Sequence, residues 1–248
     1  SNARAQMIAA NVPVIPGSDG EVYDATQALE VAQKIGYPVM LKASAGGGGK
    51  GIRKVNSQEE LLPNFSSAQA EAQAAFGNGA MYMERVIYPA RHIEVQILAD
   101  EQGHVVHLGE RDCSLQRNNQ KVLEEAPSIA IGHTLRKKIG AAAVAAAKHV
   151  GYENAGTIEF LLDESTGEFY FMEMNTRIQV EHPVTEFVTN VDIVKNQIKI
   201  AAGEALEITQ EDIKITGHAI ECRINAENPK FNFAPSPGKL TDLFLTSG

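Results

Sequence analysis

Apolar residues recur at helical spacing over 24–35: Ala28, Leu29, Ala32 and Ile35 share a face, Asp24 stands at the N-cap and Gly36 stops the turn. A short apolar strand over 37–43 runs into Gly46-Gly47-Gly48-Gly49-Lys50-Gly51, and 52–55 reads as the returning strand. Ser57 and Glu60 have capping-box spacing. Residues 68–76 predict a further helix ended by Gly77, and 81–86 a strand. Residues 13–86 thus form a small α/β unit around a glycine-rich hairpin, preceded by a linker helix over 4–12.

From residue 87 the period changes. Ile93, Val95 and Ile97 alternate in a strand over 92–99, which turns at Glu101-Gln102-Gly103 and pairs with 105–110. The polar segment 111–125 reads as loop-like. A long helix over 134–150 stops at Gly151. Strands over 157–163 and 168–175 flank Ser165-Thr166-Gly167, with Phe160, Leu162, Met172 and Met174 expected on the buried side. A helix over 192–202 and strands over 218–225 and 239–245 follow. Strands succeeding strands, with helices segregated, give an α+β layout over 87–248.

Composition changes this picture little. The 248 residues are 44% hydrophobic and 21% charged, as in ordinary globular proteins. The formal net charge of −9 argues against nucleic acid as a partner, which wants a basic footprint. No apolar run reaches the length of a membrane span. The two cysteines, Cys113 and Cys222, form no metal or disulfide pattern, so a cytoplasmic setting is expected. Ser1-Asn2-Ala3 reads as a cloning scar, and both ends read as cuts.

Four consecutive glycines between two strands leave backbone N–H groups unobstructed, a cradle for phosphates. Lys42 and Lys50 would add positive charge. The pattern is neither a Walker loop nor a dinucleotide fingerprint, and a plain flexible hairpin fits it too. The second strand pair is more informative. Centred on Thr166, it sets Glu159 opposite Glu173, with Asn175 on the same face. Opposed like charges destabilise a sheet, and a hard divalent cation such as Mg²⁺ would relieve them; a solvated outer face is the plainer alternative. Arg177, Gln179, Glu181 and His182 crowd the next loop, with Arg177 suited to an anion and Glu181 to general-base work, and Pro183 starts a helix. Arg111, Gln116, Arg117, Asn118, Asn119, Gln120 and Lys121 could line an anion site or a basic surface loop. Arg223 and His92 on strands stay open between structural and site roles.

These pieces, in this order, resemble the ATP-grasp region of biotin carboxylase. The likeness rests on Lys42-Ala43-Ser44 running into the glycine loop, Glu110-Arg111-Asp112-Cys113-Ser114, Gln120-Lys121-Val122, Glu124-Glu125-Ala126-Pro127, Glu173 through Glu186, and Glu221-Cys222-Arg223-Ile224-Asn225. The stretch Glu-Met-Asn-Thr-Arg-Ile-Gln-Val-Glu-His-Pro is the most specific part. The resemblance implies an ATP-grasp fold, with 13–86 as lid and 87–248 as part of a larger C-terminal subdomain. It implies that Lys42, the 46–51 loop, Glu84, Val86, His92, Gln116, Asn119 and Leu161 contact ATP. Glu159, Glu173 and Asn175 would hold Mg²⁺ or Mn²⁺. Lys121, Arg177, Gln179, Val180 and Glu181 would form the bicarbonate site, with Glu181 as base. Arg177 would stabilise the biotin enolate, and Arg223 would hold the carboxyphosphate or biotin end. Asn119 stands where the family usually has histidine.

The implied reaction is ATP-dependent carboxylation of biotin through carboxyphosphate. Implied partners are a biotin carboxyl carrier protein and a carboxyltransferase, with homodimerisation of the full-length protein. Acetyl-CoA carboxylase in fatty-acid synthesis is the expected setting; pyruvate- or propionyl-type carboxylases, another ATP-grasp ligase or a nucleotide-binding module without activity are the alternatives. The 248 residues alone are expected to be inactive or very weak.

Overall fold

The structure is a computed structural model that describes residues 2–45 and 51–244. After helix α1 (Asn2–Ala9), helix α2 (Ala25–Ile35) starts at Asp24, whose carboxylate accepts the Gln27 N–H, and buries Ala28 and Ala32 on the expected face. Strand β1 (Val39–Ala43) is the centre of a three-stranded antiparallel sheet, between β2 (Ile52–Val55) and β3 (Met81–Arg85). Helix α3 (Gln58–Phe76) covers the sheet as one continuous helix, although Pro63 lies inside it. Leu61, Phe65, Ala68 and Ala72 are buried along its length, so packing holds together what proline would separate. The capping box does not form. Ser57 makes no side-chain cap bond, and Glu60 accepts from the backbone and side-chain amides of Asn56.

The second sheet has six antiparallel strands: β4 (Ala90–Ala99), β5 (Val105–Arg117), β6 (Gln120–Ala126), β7 (Asn154–Asp163), β8 (Phe169–Asn175) and β9 (Ala219–Cys222), in the order β8-β7-β4-β5-β6-β9. On one face, helix α4 (His133–His149) packs Ile139, Ala143, Ala146 and Ala147 against Ile93, Val95, Ile97, Ile158 and Phe160. Around the other face, α5 (His182–Thr189) sets Val184 and Val188 against Ala126, and α6 (Ile193–Ala201) sets Ile193 and Ile200 against Leu98, Val106 and Leu108. A hairpin of β10 (Glu227–Asn228) and β11 (Ala234–Pro235) follows β9. The α+β layout expected from the sequence is the one observed.

Four expectations change. Residues 111–125 are the end of β5 and most of β6, joined at Asn118 and Asn119, whose φ angles of 52° and 62° suit a two-residue hairpin turn of the kind asparagine tolerates. The β7–β8 hairpin carries a one-residue bulge: Phe160 pairs with Phe171, but Glu159 with Glu173. Met172 is the extra residue, and it faces a cavity rather than the core; Met174 is half-buried. Strand β9 ends at Cys222, short of the expected 225. No strand forms over 239–244, where the side chains of Leu240, Leu243 and Phe244 are exposed.

Candidate active site

Strand alternation and register build the site. His92, Glu94 and Gln96 leave β4 on the face opposite Ile93, Val95 and Ile97. In register, Glu94 lies between Arg111 on β5 and Glu159 on β7, and Glu159 lies opposite Glu173 on β8. One row across four strands therefore reads Arg111, Glu94, Glu159, Glu173. The β8 bulge brings Glu173 into that row; if Met172 paired regularly with Glu159, the alternation would carry Glu173 to the core side.

Three cations balance these carboxylates. Arg111 is fully buried and makes five bonds: to Glu94 Oε2 at 3.2 Å, Gln96 Oε1 at 2.8 Å, Thr157 Oγ1 at 3.1 Å, Gln179 Oε1 at 2.9 Å and Thr185 Oγ1 at 3.0 Å. It is a structural hub and does not line an anion site. Lys121 Nζ bonds Glu94, Glu159 Oε1 at 3.2 Å and Glu181 Oε1 at 2.7 Å. Arg223 spans Glu124 Oε1 through Nε at 2.6 Å and Glu181 Oε2 through a terminal nitrogen at 2.8 Å. Glu181, at the N-cap of α5, thus has one oxygen on Lys121 and the other on Arg223. Arg117 is drawn away from the site. It pairs with Glu227 and lies 4.1 Å from the Phe233 ring centroid.

A cavity of about 860 Å³ opens over the row. It brings together His92, Gln116, Asn119, Lys121, Glu159, Leu161, Glu173, Asn175, Arg177, Gln179, Val180, Glu181 and Arg223, all singled out from the sequence. Lys42, Gly51, Glu84 and Val86 do not line it. They belong to the three-stranded sheet, where Lys42 donates to Glu84 Oε2 at 2.5 Å, the Val86 N–H donates to Pro38 O, and Gly51 O accepts from Ala43 N–H. Gly46, Gly47, Gly48, Gly49 and Lys50 lie outside the described residues. Glu94 and Glu124 were missed as site residues, although each has a sequence signal: Glu94 is two residues from His92 on the same strand face, and Glu124 opens the Glu124-Glu125-Ala126-Pro127 stretch that carries the resemblance.

The electrostatics follow the contacts. Burial opposes ionisation of Glu159, but the hydrogen bond and charge of His92, then those of Lys121, outweigh it and hold its carboxyl well below the ordinary range. Burial, then the charge of Glu159, raises Glu173. Glu181 also meets a burial penalty, which Lys121 overcomes, so it stays an ionised carboxylate. Glu159 and Glu173 face each other, and Asn175 donates to Glu159 Oε1 at 2.8 Å. Their oxygen-only donor set, with a like-charge conflict between the glutamates, fits a hard divalent cation. Arg177 is exposed at the rim, anchored on Ile178 O and Asn175 Oδ1.

Residues 1–209 match the family described as the carbamoyl-phosphate synthase L chain, ATP binding domain. The chain is 60% identical over 248 residues to a biotin carboxylase of Nostoc sp., covering all of this chain and 55% of that protein. It is 58% identical over 232 residues to a pyruvate carboxylase subunit of Methanothermobacter thermautotrophicus, covering 94% of this chain and 47% of that one. Among solved structures, the biotin carboxylase–β-γ-ATP complex of Campylobacter jejuni superposes with a TM-score of 0.89 at 52% identity, over 99% of this chain and 55% of that one. The biotin carboxylase domain dimer of Hydrogenobacter thermophilus 2-oxoglutarate carboxylase, in complex with MgADP, ADP and bicarbonate, gives 0.87 at 55% identity over the same shares. The chain spans about half the length of the curated relatives it matches.

Proposed function

Because the chain belongs to the family of carbamoyl-phosphate synthase L chain ATP-binding domains and has the ATP-grasp fold of its biotin carboxylase neighbours, we propose that it is the ATP-grasp part of a biotin carboxylase. The observation that carries this reading is Glu181, clamped between Lys121 and Arg223 beside the facing pair Glu159 and Glu173. A small anion that must be both held and deprotonated needs fixed positive charge and a base within reach of each other.

In this reading, bicarbonate binds at Lys121, Gln179, Val180 and Arg223. Glu181 takes its proton as its oxygen attacks the γ-phosphate of ATP, giving carboxyphosphate and ADP. Carboxyphosphate then yields CO₂ and phosphate, the phosphate deprotonates biotin, and the enolate, facing Arg177, attacks CO₂. Mg²⁺ held by Glu159, Glu173 and Asn175 would neutralise phosphate charge, as phosphoryl transfer requires. Residues 13–86 are the proposed lid. Lys42, Glu84, Val86 and the 46–51 loop would meet the nucleotide as the lid closes, keeping water from the labile intermediate, with His92, Gln116, Asn119 and Leu161 contributing from the larger sheet.

The biotin step is common to acetyl-CoA, pyruvate and 2-oxoglutarate carboxylases. The setting proposed is an acetyl-CoA carboxylase component in fatty-acid synthesis, with a biotin carboxyl carrier protein and a carboxyltransferase as partners and a homodimer at full length; a pyruvate or 2-oxoglutarate carboxylase component is the alternative. Titration calorimetry of the chain with bicarbonate tests the anion site. Binding should weaken at least about tenfold, roughly 1.4 kcal/mol, in both Lys121→Met and Arg223→Met. Unchanged affinity in both would remove the basis of the reading.

A further inference from the structure

Glu124 on β6 and Glu221 on β9 are directly opposed in the antiparallel pair, so their side chains leave the same face of the sheet. Glu124 is fully buried. Its Oε1 accepts from Arg223, but its Oε2 and the Oε2 of Glu221 are both shielded from solvent and have no hydrogen-bond partner among the described residues. Ionised carboxylates are acceptors only. Two carboxylates opposed across a strand pair, each with a shielded oxygen that has no donor among the described residues, therefore call for a proton.

Held between the two Oε2 atoms, one proton would satisfy both and remove one of two like charges. We propose that Glu124 and Glu221 share a single proton, and that the pair is the positioning element that presents Arg223 to Glu181.

The surroundings fit. Burial, as the largest influence on each, raises both carboxyls; Glu181 raises Glu124 further, and Glu124 raises Glu221. The ionisable groups around the pair are Lys121 and Glu125 on β6, Cys222 and Arg223 from β9 and its exit, Cys113 on β5, and Glu181 and His182 at the start of α5. His218, before β9, is held by Glu125. With one proton the pair carries a single negative charge, matched by Arg223, whose remaining nitrogen is free to hold Glu181. Loss of that proton to solvent makes the pair a dianion and pulls the guanidinium toward the sheet, away from Glu181.

The positioning role rests on the bicarbonate-site reading; the shared proton does not. The test is a carboxyl-detected ¹³C NMR titration of glutamate-labelled chain, with the Arg223 side-chain N–H signal followed alongside. Native chain is compared with Glu124→Gln and Glu221→Gln. One carboxyl should titrate at least about one unit above the ordinary glutamate value of about 4.3, and the Arg223 signal should move with it. In Glu221→Gln, whose amide donates as the carboxylic acid would, that titration should vanish and Arg223 should stay in its neutral-pH position throughout. If Glu124→Gln does not fold, native chain and Glu221→Gln carry the comparison. Ordinary titration of both carboxyls would overturn the shared proton, and an Arg223 signal indifferent to the raised titration would overturn the positioning role. None of these signals requires turnover, so failure here and failure of the biotin carboxylase reading are separable.

Discussion

Lys121 and Arg111 do different work among the same carboxylates, and their variants should fail differently. Against their burial, Lys121 is the main influence lowering Glu181 and, after His92, also lowers Glu159. Groups held below their unfolded values contribute stability above the unfolded pKa and lose it as pH falls through the folded one. Lys121→Met removes that contribution and takes one partner from each of Glu94, Glu159 and Glu181, leaving them Arg111, His92 and Arg223, a cost of about 3–5 kcal/mol near neutral pH. Their pKa values then rise, so the variant should gain stability on mild acidification, where the native chain does not. Urea unfolding at a series of pH values checks this; a native-like profile in the variant would contradict it. Arg111→Met should cost a similar amount, about 3–5 kcal/mol by unfolding, and Arg111→Lys should not restore it. An ammonium cannot reproduce the planar fork that reaches Glu94, Gln96, Thr157, Gln179 and Thr185. Glu173 shifts the other way. Burial and Glu159 raise it, so Mn²⁺ binding, read by EPR, should fade on acidification at a pH above the ordinary glutamate range and disappear in Glu173→Gln. Tight Mn²⁺ binding by that variant would remove Glu173 from the metal site.

At the scale of elements, register does the positioning. The facing of Glu159 and Glu173 was expected from a regular hairpin centred on Thr166; the observed hairpin is centred between Ser165 and Thr166, and the bulge restores the facing. The bulge at Met172 was not legible, because alternation of hydrophobic residues continues on either side of a one-residue slip. The β5–β6 hairpin was hidden for a related reason: its buried face carries Arg111 and Cys113 rather than a run of aliphatics, and a fully paired buried arginine reads as polar loop. Asn118-Asn119 was the available turn signal. Past the turn, Arg117 fastens the β10–β11 hairpin to the rim of the cavity through Glu227 and Phe233. Arg117→Ala should release it at a cost of about 1 kcal/mol, seen as faster limited proteolysis within 227–235 and little change in global unfolding. Proteolysis at the native rate would show that the clasp does not hold the hairpin.

Across the whole molecule, two sheets share the chemistry unevenly. The six-stranded sheet carries the carboxylate row and Lys121, and Glu181 at the start of α5 and Arg223 just past β9 meet at its edge. The three-stranded sheet carries Lys42 and Glu84, which pair with each other away from the cavity. The identity of these residues was legible from the sequence through local motifs, whereas their separation depends on how the two sheets are placed, which no local pattern encodes. In the proposed reading their engagement with nucleotide awaits closure of residues 13–86, whereas Glu181 already contacts Lys121 and Arg223.

If the clamp activates bicarbonate for transfer to biotin, the decisive quantity is ADP release from MgATP and bicarbonate, with and without free biotin. It is best followed in a polypeptide extended to the length of the relatives, beside its Glu181→Gln variant. Release should depend on bicarbonate and be stimulated by biotin, and the variant should lose it by at least about a hundredfold, as expected for removal of a general base. ATP turnover indifferent to both biotin and the Glu181 substitution would refute the role assigned to the clamp.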